Sequence, residues 1–246
     1  MNYTSYFIII LILCILIDIS IPIVRLKISG VKALYKMIFS DTGYLRREGV
    51  SIEKTGSKSI LIVGDSTAVG PLIFPEDTIA GRLADTFNIN VVNLSKNGSI
   101  TREIMNQVEH VAGREFYLTI IHAGNNDIWQ FTDLKKLKKD ISCLLDKTKM
   151  ISERVVLFRG GNIGTFPIFP RTIGWIFSIR SKQVRDLFMS VAEEKSVLYV
   201  EKYMERKDDV FLKAPHFFTV GTYSTLTVMV IRYGLTILLE RWGRPI

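Results

Sequence analysis

The 246-residue chain is poor in cysteine and histidine, with two and three residues respectively. Cys14 lies in an apolar run near the N-terminus and Cys143 stands alone much later, so we expect no intrachain disulfide. That expectation agrees with a reducing compartment. The chain also lacks a motif that interleaves aromatic and basic residues, so its net charge of +8 does not indicate nucleic-acid binding.

Charge is almost absent from residues 6–24, where Asp18 is the one formally charged side chain. About 20 apolar residues, at a rise of about 1.5 Å each, cross a hydrocarbon core of about 30 Å. A cleaved signal peptide is the alternative, but it would place Lys or Arg before the apolar run and small residues after it. No basic residue precedes Tyr6, and Ile19-Ser20-Ile21-Pro22 is a poor cleavage site. We therefore expect residues 1–25 to form an uncleaved, single-pass membrane anchor.

Basic residues predominate directly after this run, with six against two acidic ones up to Glu48. The positive-inside tendency therefore predicts that the rest of the chain lies in the cytoplasm. The same charges suit an anionic membrane surface. We expect residues 26–56 to form a basic juxtamembrane connector and residues 57–246 to form one domain.

Short apolar runs alternate with helical patterns through this domain. The predicted strands are 60–63, 89–94, 118–122, 155–158 and 197–200, and the predicted helices include 79–87 and 134–145. This alternation predicts an α/β fold, with a parallel sheet covered by helices on both faces.

Three polar segments follow the first three predicted strands: Gly64-Asp65-Ser66-Thr67, Asn97-Gly98 and Gly124-Asn125-Asn126-Asp127. Ligands of parallel sheets bind at the carboxyl ends of the strands, so these segments are expected to meet there. Taken singly, each segment has an alternative interpretation. Ser66 is either a nucleophile on a tight turn or part of a helix N-cap. Gly98 and Asn126 are either donors to a developing oxyanion or ordinary turn residues.

Taken in order, the three segments resemble the SGNH/GDSL hydrolase superfamily over roughly residues 57–212. The resemblance implies a flavodoxin-like three-layer α/β/α fold and a serine esterase that needs no metal or other cofactor. It implies that Ser66 is the nucleophile, and that the Ser66 N–H, the Gly98 N–H and the Asn126 amide form the oxyanion hole. The implied substrates are small-molecule or lipid esters, including acyl lipids and acetylated sugars.

The family's late Asp-x-x-His element is not intact in this chain. His216 is the only late histidine and the remaining candidate base, but Lys213 stands where the family has Asp. Lysine cannot accept a hydrogen bond from the imidazole N–H, so the orientation of His216 would be unsupported. Of the other histidines, we expect His110 on the surface, while His122 is either a structural residue or a substitute base.

One specific explanation concerns the reading frame of the gene. Read from the third base of each codon, residues 221–234 permit the sequence Asp-x-Phe-His-Pro-x-x-x-Gly-Tyr-x-x-Trp. That sequence resembles the ending of the family. We therefore hypothesise that a frameshift near residues 210–220 has replaced the native C-terminus, so that the chain departs from the family after about residue 212.

Two further features bear on the substrate. Residues 165–178 form an apolar insertion that we expect to border the Ser66 pocket, either as a lipid or partner contact or as a buried lid or core segment. The lysines at 135, 136, 138 and 139 indicate either a solvated helix face or membrane contact.

The sequence bears on two alternatives to an active esterase. A membrane-tethered binding module of the same fold is favoured by the missing Asp-x-x-His element. Nucleotide binding through residues 64–70 is disfavoured, because no Gly-Lys-Ser/Thr follows to hold phosphates.

Overall fold

The computed structural model describes residues 6, 8–14, 16, 17, 20, 47–55, 58–70, 74–165 and 169–201. Strands and helices alternate through the described domain: β1 Ser59–Gly64, α1 Ser66–Val69, α2 Ile79–Phe87, β2 Asn90–Asn93, α3 Thr101–Glu109, β3 Leu118–His122, α4 Asn125–Trp129, α5 Leu134–Lys149, β4 Val155–Arg159, α6 Arg171–Glu194 and β5 Leu198–Glu201. Two 3-10 turns, Pro75–Asp77 and Ile163–Thr165, precede α2 and α6. All five predicted strands and both predicted helices are confirmed.

The five strands form one parallel sheet in the order β2-β1-β3-β4-β5. This is the flavodoxin-like order, in which the first strand lies inside the sheet. The second strand is added on one side of it and the later strands are added on the other side. Gly64 at the end of β1 pairs with His122 at the end of β3. The segments that follow these strands therefore leave the sheet side by side.

Two separate apolar clusters show that helices cover both faces of the sheet. Ile60 and Ile62 of β1 pack with Leu83 and other residues of α2 on one face. Leu61 and Val63 pack on the opposite face, against buried side chains from α3, α5 and α6. Strands covered on both faces are expected to be apolar without alternation, and all five residues of β3 are buried. The three-layer α/β/α arrangement predicted for the domain is confirmed.

Residues 47–55, from the expected connector, run along the edge of the sheet beside β2. Gly49 N–H donates to the Ser95 carbonyl over 2.8 Å, and Ile52 pairs antiparallel with Val91. Glu48 forms an ion pair with Lys96 over 3.0 Å. This part of the chain therefore packs against the folded domain.

The apolar run near the N-terminus is described only in part, and those residues are helical with exposed side chains. Over the described ranges, no helix combines the length and the apolar character needed to span a membrane.

The predicted insertion at 165–178 is largely the beginning of α6, a helix of 24 residues that joins β4 to β5. The close approach of Gly164 to this helix explains the position of the helix. A Cβ on Gly164 would lie 2.1 Å from the Gly174 carbonyl oxygen, so only glycine permits the contact. His216, Lys213 and the segment of the proposed frameshift lie outside the described residues.

Candidate active site

Ser66 lies directly after β1, where the strand gives way to the short helix α1. Asp65 is the N-cap, and its carboxylate accepts a hydrogen bond from the Thr67 N–H over 2.9 Å. The capping role proposed as an alternative therefore belongs to Asp65. Ser66 occupies the first helical position and is half-buried, and Gly70 ends the helix in a left-handed conformation. The turn thus presents a serine hydroxyl beside the N–H groups of a helix start.

A buried histidine fixes this turn to the neighbouring strand. His122 Nδ1 lies 2.9 Å from Asp65 Oδ1, and both side chains are only 1% exposed. Because a carboxylate can only accept, the ring donates from Nδ1. Nε2 is buried and has no hydrogen-bond partner among the described residues. This geometry favours a structural role for His122 over that of a substitute base.

Gly98 occupies the turn that follows β2. Its φ is +81°, a left-handed conformation that residues with a side chain rarely adopt. A Cβ placed on Gly98 would meet no atom within 4 Å, so the backbone angle rather than crowding calls for glycine here. The open space beside this exposed turn leaves room for a ligand.

Asn126 connects the third segment to the Gly98 turn. It lies in the first turn of α4, where its Nδ2 donates to the Ser99 carbonyl over 2.9 Å. A side-chain amide has two N–H groups, so this bond leaves a second donor available for an oxyanion. The structure thus brings Asn126 next to the Gly98 turn.

Asp127 ties α4 to the start of α3. Its carboxylate accepts from the Thr101 N–H over 2.9 Å and from the Thr101 hydroxyl over 2.6 Å. Asp127 is 1% exposed, and burial raises the pKa of its carboxyl group although the bonds from Thr101 act in the opposite direction. Asp127 therefore ties the third polar segment to a neighbouring helix.

Gln107 of α3 links two of the polar segments, a role that the sequence alone did not reveal. Its Oε1 accepts from the Gly64 N–H over 2.8 Å, and its Nε2 donates to the Gly64 carbonyl over 3.0 Å and to the Ser99 hydroxyl over 3.2 Å. One buried amide thus joins the residue before the Ser66 turn to the residue after Gly98. The feature of the sequence that could have identified Gln107 is its position as a polar residue on the apolar face of α3, between the buried Ile104 and Val108.

The described part of the chain assembles donors but offers no exposed, positioned base. His110 is exposed at the end of α3, as predicted, and its ring contacts the Asn106 carbonyl. Within the same described ranges, no group of three or more His, Cys, Asp or Glu residues is arranged to hold a metal ion. The N–H groups of the Ser66 and Gly98 turns and the Asn126 amide are hydrogen-bond donors, the kind of group that stabilises a developing oxyanion.

Comparisons with known proteins agree with this geometry at the level of the fold. No family model and no curated protein matches the sequence. The fold is similar to a member of the lipolytic protein G-D-S-L family from Veillonella parvula, with 14% identity, a TM-score of 0.58, and coverage of 72% of this chain and 98% of that one. It is also similar to the psychrotrophic esterase EstA from Pseudoalteromonas sp., in a structure inhibited by monoethylphosphonate, with 17% identity, a TM-score of 0.58, and coverage of 74% and 99%. The domain therefore has the α/β fold of SGNH/GDSL hydrolases.

Proposed function

We propose that this chain is a serine esterase of the SGNH/GDSL type, with Ser66 as its nucleophile. The observation that carries the proposal is the hydrogen-bond network that holds the Ser66 turn, the Gly98 turn and Asn126 together in a GDSL-type fold. Core packing alone does not require polar segments from three strands to be cross-linked in this way.

In the proposed reaction, the Ser66 hydroxyl attacks the ester carbonyl while a base accepts its proton. The carbonyl oxygen becomes negatively charged and accepts hydrogen bonds from the Ser66 N–H, the Gly98 N–H and the Asn126 amide. The alcohol then leaves with a proton, and water hydrolyses the acyl-enzyme by the same route. A single oxyanion donor of this kind is worth about 10²–10³-fold in kcat.

The base is proposed to come from the C-terminal part of the chain. His216 is the candidate in the present sequence, without a carboxylate partner at Lys213. In the frameshift hypothesis, the native base is the Asp-supported histidine of the shifted frame. His122 is not proposed, because its Nδ1 bonds to Asp65 and its Nε2 is enclosed.

A lipid or other acyl ester is the proposed substrate, with residues 1–25 anchoring the chain in the membrane and the domain on its cytoplasmic side. The exposed apolar side chains at residues 8–13 support an anchor. Phe177 of α6 contacts Trp129 of α4, the helix that carries Asn126, with ring centroids 5.1 Å apart. The aromatic surroundings of this edge support an apolar acyl group.

The alternative is a binding module of the same fold, favoured by Lys213 standing where the family has the Asp of its Asp-x-x-His element. Hydrolysis of short activated esters distinguishes the two, using the present chain and a form with the shifted C-terminal frame restored. We expect the restored form to be active and to lose activity on Ser66→Ala but not on Ser190→Ala, an exposed serine of α6. Inactivity of both forms on every ester would favour the binding module.

A further inference from the structure

The first half of α6 exposes its apolar side chains and buries small ones, the reverse of what a surface helix usually does. Its outward side chains include Trp175, Ile176 and Ile179, which are 67%, 47% and 43% exposed. Gly174 and Ser181 lie on the buried side instead. A surface helix normally buries its apolar stripe, so an outward apolar stripe requires a cause.

Close packing against the 3-10 turn fixes this orientation. A Cβ on Gly164 would lie 2.1 Å from the Gly174 carbonyl oxygen and 2.2 Å from Ser178 Oγ. The small residues of α6 therefore belong against this turn, and bulky side chains could not replace them there. Rotating the helix to bury Trp175 and Ile176 would break the contact, so the apolar stripe stays outside.

The stripe continues onto helix α4 of the candidate active site. Trp129 and Phe131 are 44% and 51% exposed, and their rings lie 5.1 and 5.4 Å from that of Phe177. We call the joint surface the aromatic face, which consists of Trp129, Phe131, Ile173, Trp175, Ile176 and Ile179. Single exposed apolar residues are ordinary, but a contiguous patch of this kind marks a binding surface.

The charges around the aromatic face are mostly positive. Four exposed basic residues adjoin it in the chain, Lys135 and Lys136 shortly after Phe131 and Arg171 and Lys182 on α6, against the exposed acidic residues Asp133 and Asp186. On α6 itself, Arg171 lies one turn before Trp175 and Lys182 lies one turn after Ile179, both exposed. The nearest acidic residue on α5 is its N-cap Asp133, whose carboxylate accepts from the Lys136 N–H. The face therefore complements a negatively charged surface.

We propose that the aromatic face docks onto an anionic lipid bilayer, with Trp175 at the level of the headgroups. Tryptophan is enriched at membrane–water interfaces, and basic residues beside an apolar helix face bind anionic lipids. A lipid surface also needs no matching pocket, whereas a protein partner needs a shape complementary to the aromatic face. Docking would place α4, and with it Asn126, beside the membrane. This proposal does not depend on the chemistry of Ser66.

Quenching of Trp175 fluorescence by brominated lipid tests the proposal in the full chain. The chain has three tryptophans, so Trp129→Phe with Trp242→Phe leaves Trp175 as the only reporter. The probes are vesicles of phosphatidylcholine, and of phosphatidylcholine mixed with phosphatidylserine, each with brominated acyl chains. We expect a blue-shifted, strongly quenched emission with the anionic vesicles, weaker quenching without phosphatidylserine, and a loss of the difference at high salt.

A charge on the aromatic face should abolish this signal while leaving the fold intact. Ile176→Asp in the reporter chain is expected to lower the quenching several-fold, whereas Met150→Asp, at an 84% exposed position after α5, should not change it. Far-ultraviolet circular dichroism checks that each variant is folded. If the chains co-float with the vesicles but Trp175 is not quenched, the proposal is overturned, because the apolar N-terminal run alone would then bind the chains to the vesicles. Equal quenching with and without phosphatidylserine, or a lipid-independent blue shift that grows with protein concentration, would also overturn it, the latter by indicating self-association.

Discussion

Replacing Gln107 by leucine should test whether one buried amide holds the candidate site together. The substitution removes the Oε1 acceptor of the Gly64 N–H, while the Gly64 carbonyl keeps the bond from the Lys96 N–H over 3.0 Å. A buried donor left without a partner costs about 1–3 kcal/mol. The two bonds donated by Nε2 contribute about 0.5–1.5 kcal/mol each, and the apolar leucine offsets part of that loss. We expect the free energy of unfolding to fall by about 2–3 kcal/mol.

Urea unfolding measures this loss as a lower midpoint at an unchanged slope, since the surface exposed on unfolding is nearly the same. Asn106→Leu is the matched control, because Asn106 lies next to Gln107 on the exposed side of α3. It should change stability by no more than about 0.5 kcal/mol. If Gln107→Leu is as stable as the unmodified chain, the reasoning from the buried amide is wrong.

Three further predictions concern the same site and the anchor. Burial raises the pKa of Asp127 above 3.8, so the folded chain binds this proton more tightly than the unfolded chain. The free energy of unfolding should therefore fall as pH rises from 3.8 through the raised pKa. Urea titrations at several pH values should show that Asp127→Asn lacks this fall; an identical pH profile would contradict the assignment. Gly98 and Gly113 both have positive φ and open space around a Cβ, so alanine at either should cost about 1–2 kcal/mol. Only Gly98→Ala should slow the reaction of Ser66 with a phosphonate. Equal slowing by both substitutions would show that Gly98 has no specific role in the site. Protease added to intact cells should leave residues 57–246 uncut, whereas digestion of this domain would reverse the proposed orientation.

The sheet could be predicted because its central strands β1, β3 and β4 are buried on both faces and therefore appear as mainly apolar runs. Ile60 to Val63 is such a run between Ser59 and Gly64, and Leu118 to His122 is another, in which Thr119 and His122 are the polar members. The segments of the site could be placed for the same reason, since the ends of parallel strands define one edge of the sheet. Predicting that the three polar segments lie together required only the order of the strands.

The contacts within the site could not be predicted, because they depend on registers and helix rotations that the local sequence does not determine. The bond between Asp65 and His122 requires Gly64 to pair with His122 across two strands that are far apart in the chain. The outward position of Trp175 depends on the contact between Gly164 and Gly174. A period of 3.6 residues identifies a helix but does not determine which of two mixed faces is buried.

Mapping the site of a serine-directed phosphonate tests the central claim most directly. The present chain and the frame-restored form are each treated with the phosphonate, digested and examined by mass spectrometry, with the Ser66→Ala variant of each alongside. A histidine base typically contributes about 10²–10⁴-fold, so the restored form should react far faster than the present one. The account predicts one modified peptide, containing Ser66, which is absent from the Ser66→Ala variants. Modification of a different serine, or none in either form, would contradict the claim that Ser66 is the nucleophile of an esterase.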